Sequence, residues 1–274
     1  MRIGLGSYSF RWAIGTPDFR PARPLTPFDL IDRTAELGCD LLQIADHPML
    51  EAFTDEHLRS LKAAAAQRGV SLEIGTSGAT ERRLLRFLDI ASKLDSTMVR
   101  IVLDGQDTHP SLQEAGGILR KVARMYRMEG VTLAIENHFL IPSPKLVELI
   151  EFVNDPAVGV CLDTANSLAC QEWPEETVRI LAPYAVNVHL KDYVIRPHPE
   201  GVGVVVTGAP IGEGRQDIHG IVSIIESSGK ELSYILEQWF PRQEDESSTL
   251  TMERESTRRN MIGARRILQG MSST

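Results

Sequence analysis

The chain has 274 residues, and its 29 Lys plus Arg against 37 Asp plus Glu give a formal net charge of −8 at pH 7. With 42% hydrophobic and 24% charged residues it has the composition of a globular protein, which excludes a disordered or fibrous chain. No window approaches the roughly 20 apolar residues of a membrane span, and the acidic balance argues against a general nucleic-acid binder.

The start of the chain, MRIGLGSYSFRW, carries no charged and apolar pattern of a secretory signal. A cytoplasmic location, with neither membrane nor nucleic acid as a partner, is therefore the expectation.

Short apolar runs alternate with longer amphipathic stretches along the whole chain, which is the pattern of repeated β/α units and a parallel sheet. Eight strands are predicted, at residues 2–7, 41–45, 71–75, 98–103, 132–137, 158–163, 185–191 and 232–238. Helices are predicted between them, among them residues 55–67, 81–93, a helix opened by Ser143-Pro144, residues 175–181 after Pro174, and residues 253–268. Eight units in about 250 residues predict a single (β/α)8 TIM barrel. No linker divides the chain, so residues 1–274 are predicted to be one domain.

Polar residues end four successive predicted strands, where a TIM barrel brings side chains to one site. Glu136 ends the fifth strand, Asp163 the sixth and Glu237 the eighth, and His189 lies near the end of the seventh. Three carboxylates and one imidazole suit a single divalent ion such as Mn²⁺, Mg²⁺, Co²⁺ or Zn²⁺. The alternative is that each group separately caps a loop or pairs with a Lys or Arg at the barrel rim. Burying four such groups together is costly unless a cation offsets them, which favours the metal.

Five motifs in this order resemble those of the xylose isomerase-like TIM barrels, a group of sugar and sugar-phosphate isomerases and epimerases with inosose dehydratases and endonuclease IV. They are Ile135-Glu136-Asn137, Cys161-Leu162-Asp163-Thr164, Val188-His189-Leu190-Lys191-Asp192, Gly212-Glu213-Gly214 before Asp217, and Glu237. The resemblance implies that Glu136, Asp163, His189 and Glu237 bind the metal. It also implies that Glu136 and Glu237 are the acid/base pair on either side of the substrate.

The resemblance further implies a metal-dependent sugar or sugar-phosphate isomerase or epimerase that moves a proton next to a carbonyl through a cis-enediolate. A keto-sugar or inosose dehydratase with the same metal site is the alternative, and a catalytically inactive sugar- or partner-binding barrel is a third hypothesis. Asn166 stands where endonuclease IV has a histidine, which argues against a trinuclear zinc site. A homo-oligomer is compatible with the resemblance.

Four residues are predicted to bind the substrate, each with a structural alternative: His47, His138, Lys191 and Arg196. His47 is otherwise a rim histidine bonded to backbone, His138 an orienting group for a metal ligand, and Lys191 a counter-ion for the carboxylates. Glu73, Arg100 and Asp104 are predicted to pair with one another.

Two long segments follow predicted strands and are expected on the catalytic face, at residues 11–26 and 193–216. Two interpretations of the second remain open. It closes over the bound sugar and brings Arg196 to the substrate, or its Val-rich run at 202–206 forms a short strand or hairpin that packs on the rim.

Overall fold

A computed structural model describes residues 1–271 of the chain. Eight parallel strands close into a barrel, and two further strands pair outside it. The ten strands are β1 (Arg2–Gly6), β2 (Leu41–Ala45), β3 (Ser71–Ser77), β4 (Met98–Val102), β5 (Thr132–Glu136), β6 (Val158–Asp163), β7 (Ala185–Leu190), β8 (Asp192–Pro197), β9 (Val204–Ala209) and β10 (Ser233–Leu236). The order around the barrel is β1-β10-β7-β6-β5-β4-β3-β2. The predicted (β/α)8 TIM barrel is confirmed.

Helices connect the strands and pack around the barrel. They are α1 (Arg11–Ile14), α2 (Pro27–Glu36), α3 (Asp55–Arg68), α4 (Glu81–Leu94), α5 (Leu112–Met128), α6 (Ser143–Val153), α7 (Pro174–Leu181), α8 (Ile218–Glu226) and α9 (Glu246–Met271). Within residues 1–271, no helix combines the length and the apolar character that a membrane crossing requires.

Local hydrogen bonds and glycine positions explain where the helices begin and end. Two helix starts differ from those that the sequence predicts. Thr54 accepts a hydrogen bond from the His57 backbone N–H at the start of α3, and Gly69 ends this helix with a φ of 65°. The predicted cap at Ser143 is wrong, because Ser143 is already helical and its N–H and hydroxyl donate to Glu172. Helix α9 begins at Glu246 rather than at residue 253, after Asp245 accepts from the Ser248 N–H.

Strand register brings the predicted ligands to one end of the barrel. Glu136 on β5 lies opposite Cys161 on β6, and Asp163 on β6 lies opposite His189 on β7. Because the carboxyl ends of parallel strands meet at the same face, residues far apart in the chain converge there.

The segment after β7 forms an antiparallel hairpin of β8 and β9 outside the barrel, as one of the two interpretations predicted. Its backbone lies against the segment after β10, since the Gly208 N–H donates to the Trp239 carbonyl at 2.9 Å. A Cβ atom at Gly208 would lie 2.1 Å from that oxygen, so only glycine allows this approach. Asp192 closes the base by accepting from the backbone N–H groups of Gly212 and Gly214, both at 2.9 Å.

Candidate active site

A cavity of about 530 Å³ opens at the carboxyl end of the barrel. Its walls include Glu136, Lys191 and Glu237 from the strand ends, and residues of the segment that follows β1. The expectation that residues 11–26 reach the pocket is confirmed, since Arg11 and residues 14–17 line it. The size fits the small, mostly pre-formed clefts that bind metabolites.

Four side chains at one side of this cavity form what we call the upper cluster: Glu136, Asp163, His189 and Glu237. Each is at most 2% exposed. The Nδ1 atom of His189 lies 3.4 Å from Glu237 Oε2, 3.5 Å from Glu136 Oε2 and 3.9 Å from Asp163 Oδ2. The imidazole nitrogen therefore faces three carboxylates at once.

Two buried atoms of the upper cluster have no hydrogen-bond partner, His189 Nδ1 and Glu237 Oε1, and Asp163 Oδ2 has only the Lys191 ammonium beside it. Leaving a buried polar atom unpaired costs free energy, so these atoms need an explanation. Glycine makes room for one of them, because a Cβ atom at Gly6 would lie 2.8 Å from Glu237 Oε1.

The donor set fits a divalent ion. One ligand atom each from Asp163, His189 and Glu237 lies within 4.8 Å of the others. Two ligand atoms that bind the same ion at about 2.1 Å lie about 3 to 4 Å from each other. The distances from His189 Nδ1 to the three carboxylate oxygens fall in that range. Oxygen ligands with a single nitrogen suit Mg²⁺, Mn²⁺ or Zn²⁺ better than a soft ion.

Two buried cations contact the upper cluster. Lys191 Nζ lies 2.5 Å from Asp163 Oδ2 and 3.1 Å from Glu237 Oε2, as the counter-ion interpretation of Lys191 requires. Arg100 joins Glu136 to Asp46, donating from Nε to Glu136 Oε2 and from Nη1 to Asp46 Oδ2 at 2.6 Å. The predicted pairing of Arg100 with Glu73 and Asp104 is wrong, since barrel closure gives Arg100 these other partners.

The two glutamates of the upper cluster differ in how they are held. Glu136 has both oxygens occupied, Oε2 by Arg100 and Oε1 by the Asn166 amide at 2.8 Å. Glu237 has Oε2 beside Lys191 and Oε1 without a partner. One carboxylate is therefore clamped as an anion and the other keeps an open oxygen.

Burial and charge set the pKa values of the cluster. Burial opposes ionisation of Glu237, but His189 and Lys191 outweigh it and lower its pKa to about 2. Burial raises the pKa of Asp163 despite Lys191. For Lys191, burial favours the neutral amine, but Asp163 and Glu237 raise the pKa above its ordinary value.

A second polar group lies inside the barrel, one layer nearer the amino ends of the strands. We call it the lower network: Gln43, Glu73, Asn187 and Ser233. Gln43 Nε2 donates to Glu73 Oε2 at 2.9 Å, and Asn187 Nδ2 donates to the same oxygen at 3.2 Å. Ser233 donates to Glu73 Oε1 at 3.0 Å. The network meets the upper cluster at one point, where His189 Nε2 lies 2.7 Å from Gln43 Oε1.

A family model for xylose isomerase-like TIM barrels matches residues 31–258. The chain belongs to the xylose isomerase-like TIM barrel family. The resemblance predicted from the motifs is thereby confirmed, and the upper cluster occupies the strand ends on which the resemblance was based.

Within and around this family the chain is similar to several named proteins. It is 29% identical over 261 residues to a 3-oxo-isoapionate decarboxylase of Pectobacterium atrosepticum, covering 95% of this chain and 94% of that protein. It superposes with a TM-score of 0.73 on D-psicose 3-epimerase with D-tagatose from Clostridium cellulolyticum H10, at 18% identity, covering 98% of this chain and 99% of that one. A Mycobacterium smegmatis family member in complex with magnesium gives a TM-score of 0.71 at 18% identity, covering 96% and 97%.

The structure brings only two of the four predicted substrate residues to the cavity, His138 and Lys191. His138 stacks on Phe139 with ring centroids 4.1 Å apart. His47 is buried away from the cavity lining, with Nε2 3.1 Å from the Leu25 carbonyl and Nδ1 accepting from the Met49 N–H. Arg196 is exposed on β8, because hairpin formation pairs it with Val205 and leaves its side chain outside the cavity.

Sequence reasoning missed the clamp on Glu136 and the layer beneath His189. From the sequence, Asn166 stands out only as the position of an absent metal ligand, and Gln43 does not stand out. Asp46 carries the one signal that the sequence offers, since it directly follows the apolar run of β2. Its φ of 54° is a further unusual feature, but only the structure shows it.

Proposed function

We propose that the protein is a divalent-metal-dependent decarboxylase of a sugar-derived 2-hydroxy-3-oxo acid. This refines the isomerase or epimerase expectation, because both kinds of reaction pass through an enediolate but form it by breaking different bonds. A proton is removed in one case and a carboxyl group in the other.

The observation that carries the proposal is the unequal state of Glu136 and Glu237. Epimerisation by two carboxylates requires each to take or give a proton on its own side of the substrate. Glu136 has its oxygens bonded to Arg100, which stays protonated, and to Asn166. Decarboxylation requires one proton donor and no carboxylate base, and the site offers Lys191, whose pKa Asp163 and Glu237 raise so that it stays protonated beside the anion of Glu237.

The residues of the chain suit each stage of that reaction. The bond between the carboxyl group and the neighbouring carbon breaks, CO₂ leaves, and the electron pair passes into the enediolate. Arg100 and Lys191 line the cavity and stabilise the negative charge that moves onto oxygen. Lys191, whose Nζ lies 3.1 Å from Glu237 Oε2, is the group from which the carbon takes its proton, and solvent then returns a proton to the amine.

A bound divalent ion would act as a Lewis acid toward adjacent keto and hydroxyl oxygens. Asp163, His189 and Glu237 would hold it, with Glu136 as the fourth ligand. The magnesium complex of the related Mycobacterium smegmatis protein supports this choice of ion. The decarboxylase activity named for the Pectobacterium atrosepticum relative supports the reaction, since that similarity extends over 95% of the chain.

Sugar isomerisation or epimerisation is the second candidate. It is favoured by the nearly equal distances of Glu136 and Glu237 from His189 Nδ1, 3.5 and 3.4 Å, since two carboxylates equally near one point can share a proton transfer there.

One experiment separates the candidates. The purified protein with Mg²⁺ or Mn²⁺ is incubated in D₂O with 2-hydroxy-3-oxo acids of four to six carbons, and separately with D-fructose and D-tagatose. We expect CO₂ release from an acid, with one deuterium at the carbon that lost it, and unchanged ketoses. New ketose epimers without CO₂ release would overturn the proposal in favour of the second candidate. Loss of water from the substrate would indicate a dehydratase, and absence of bound metal would leave the inactive-barrel hypothesis.

A further inference from the structure

Gln43 and Glu73 are not among the proposed metal ligands, but Gln43 contacts one of those ligands, His189. His189 Nε2 lies 2.7 Å from Gln43 Oε1, and Nδ1 is the unpartnered nitrogen that faces the carboxylates. A neutral imidazole has one N–H donor and one acceptor nitrogen, and only the acceptor can bind a metal. The polarity of the Gln43 amide therefore matters to the ion.

The lower network leaves the Gln43 amide one favourable orientation. Its Nε2 group donates to Glu73 Oε2 at 2.9 Å and to Asn187 Oδ1 at 3.2 Å. If the amide were flipped, its oxygen would face those two oxygens, and no proton would lie between them. The Asn187 amide is held in the same way, since Nδ2 donates to Glu73 Oε2 and to Ser233 Oγ at 2.8 Å.

We propose that Glu73 and Gln43 are positioning residues that fix the tautomer of His189. Glu73 orients the Gln43 amide, the Gln43 oxygen accepts the Nε2–H of His189, and Nδ1 is left with its lone pair toward Asp163 and Glu237. All three side chains are at most 8% exposed, so water does not readily substitute for these bonds. The inference rests on the metal site of the proposed function, but it concerns a different layer of the barrel.

The test exchanges the two functional groups. Glu73→Gln replaces the acceptor-only carboxylate by an amide, so the Gln43 amide is free to rotate and present its N–H₂ group to His189. We expect Mg²⁺ and Mn²⁺ affinity, measured by calorimetric titration, to fall about 10- to 100-fold, as for other groups that orient metal ligands. Combining Glu73→Gln with Gln43→Glu restores an acceptor beside His189 and a donor beneath it. This double variant should recover most of the affinity.

Two further measurements keep the inference open to refutation. Nitrogen-15 NMR of the Mg²⁺-loaded protein should show the proton of His189 on Nε2, with His189→Asn used for assignment. Gln43→Met, of similar length but with no acceptor, should bind metal as weakly as Glu73→Gln, and the double variant serves if either single variant fails to fold. Wild-type affinity in Glu73→Gln, or no recovery in a folded double variant, would overturn the inference. Absence of metal from the wild-type protein would instead overturn the proposed function.

Discussion

The upper cluster and the lower network use the same kinds of side chain at two levels of one barrel, but they differ in how fully those side chains are hydrogen-bonded. Among the described residues, no buried polar atom of Gln43, Glu73, Asn187 or Ser233 lacks a partner. The upper cluster leaves His189 Nδ1 and Glu237 Oε1 without a hydrogen bond, and Asp163 Oδ2 has only the Lys191 ammonium beside it. A buried carboxylate is thus no sign of a site in itself. What indicates a functional site is a buried carboxylate with an oxygen that lacks a hydrogen bond. The variants below test that distinction.

The largest expected effect is loss of the metal on removing a ligand from the upper cluster. Asp163→Ala and His189→Ala should each reduce bound divalent ion from about one equivalent to none and abolish turnover, because each removes one of the four proposed ligands. Metal analysis after gel filtration measures this.

His47→Ala is the matched control for the histidine variant, since His47 is also buried but has hydrogen bonds at both ring nitrogens. It should lose stability and keep its metal. Wild-type metal content in both ligand variants would mean that the upper cluster is not the metal site.

The next effect distinguishes the two glutamates. Glu237→Gln removes a proposed metal ligand and the anion beside Lys191. It should therefore weaken metal binding and, at saturating metal, still lower kcat about 10²- to 10⁴-fold, the range of groups that take part in proton transfer. Glu136→Gln leaves the buried Arg100 without one of its two carboxylate partners. It should lower the free energy of unfolding by about 3 kcal/mol and also lower the affinity for the metal.

Unfolding curves, metal content and kcat are measured on both variants. Equal losses of kcat at full metal occupancy would indicate two equivalent proton carriers, and so an epimerase.

The barrel and the convergence of the upper cluster were predictable from the sequence because both follow local rules. The bounds of β2 and β6 match the predicted runs, and Glu136, Asp163, His189 and Glu237 each mark the carboxyl end of an apolar run. The clamp on Glu136 and the lower network were not predictable in this way. Gln43 and His189 are separated by 146 positions, and nothing local in the sequence indicates that an amide on β2 will face an imidazole on β7. Arg196 shows the opposite error, since nearness to His189 in the chain does not bring it to the cavity.

Glu253 is another buried carboxylate whose two oxygens are both hydrogen-bonded. It should make the stability of the folded protein depend on pH. It is 4% exposed and accepts from the backbone N–H groups of Trp12 at 2.6 Å and Ala13 at 3.0 Å. It thereby ties α9 to α1, beside the segment that lines the cavity. Burial raises its pKa from 4.5 to about 7, although the two N–H groups oppose the shift.

A raised carboxyl pKa means that the folded protein holds its proton more tightly than the unfolded chain. The stability from this proton is fully present below pH 4.5 and is lost as the pH rises to about 7. Its size is about 3 kcal/mol for a shift of this extent. Glu253→Gln should remove that dependence. It should be about 1 kcal/mol less stable than the wild type at pH 4.5, because one backbone N–H loses its acceptor, and about 2 kcal/mol more stable above pH 7, where the wild type has lost about 3 kcal/mol.

Denaturant unfolding between pH 4.5 and 7 measures the slope. Glu255→Gln, on the same helix but exposed and paired with Arg258, is the control and should leave it unchanged. A wild-type slope in Glu253→Gln would assign the pH dependence to another group.

The smallest effect is expected from Ser233→Ala, which removes one member of the lower network without disturbing the orientation of Gln43. Ser233 donates to Glu73 Oε1 and accepts from Asn187 Nδ2, whereas Gln43 is held by Glu73 Oε2 and Asn187 Oδ1. Because Ser233 is only half-buried, water can replace part of the lost hydrogen bonding, and we expect the free energy of unfolding to fall by about 1 kcal/mol.

Metal affinity and kcat should change by no more than about twofold in Ser233→Ala. A tenfold change would require about 1.4 kcal/mol at the metal site itself, which this variant does not touch. Urea unfolding and calorimetric titration on the same preparation measure both. A tenfold loss of metal affinity here would show that the two layers act as one unit, and that the incomplete bonds of the upper cluster depend on every bond below it.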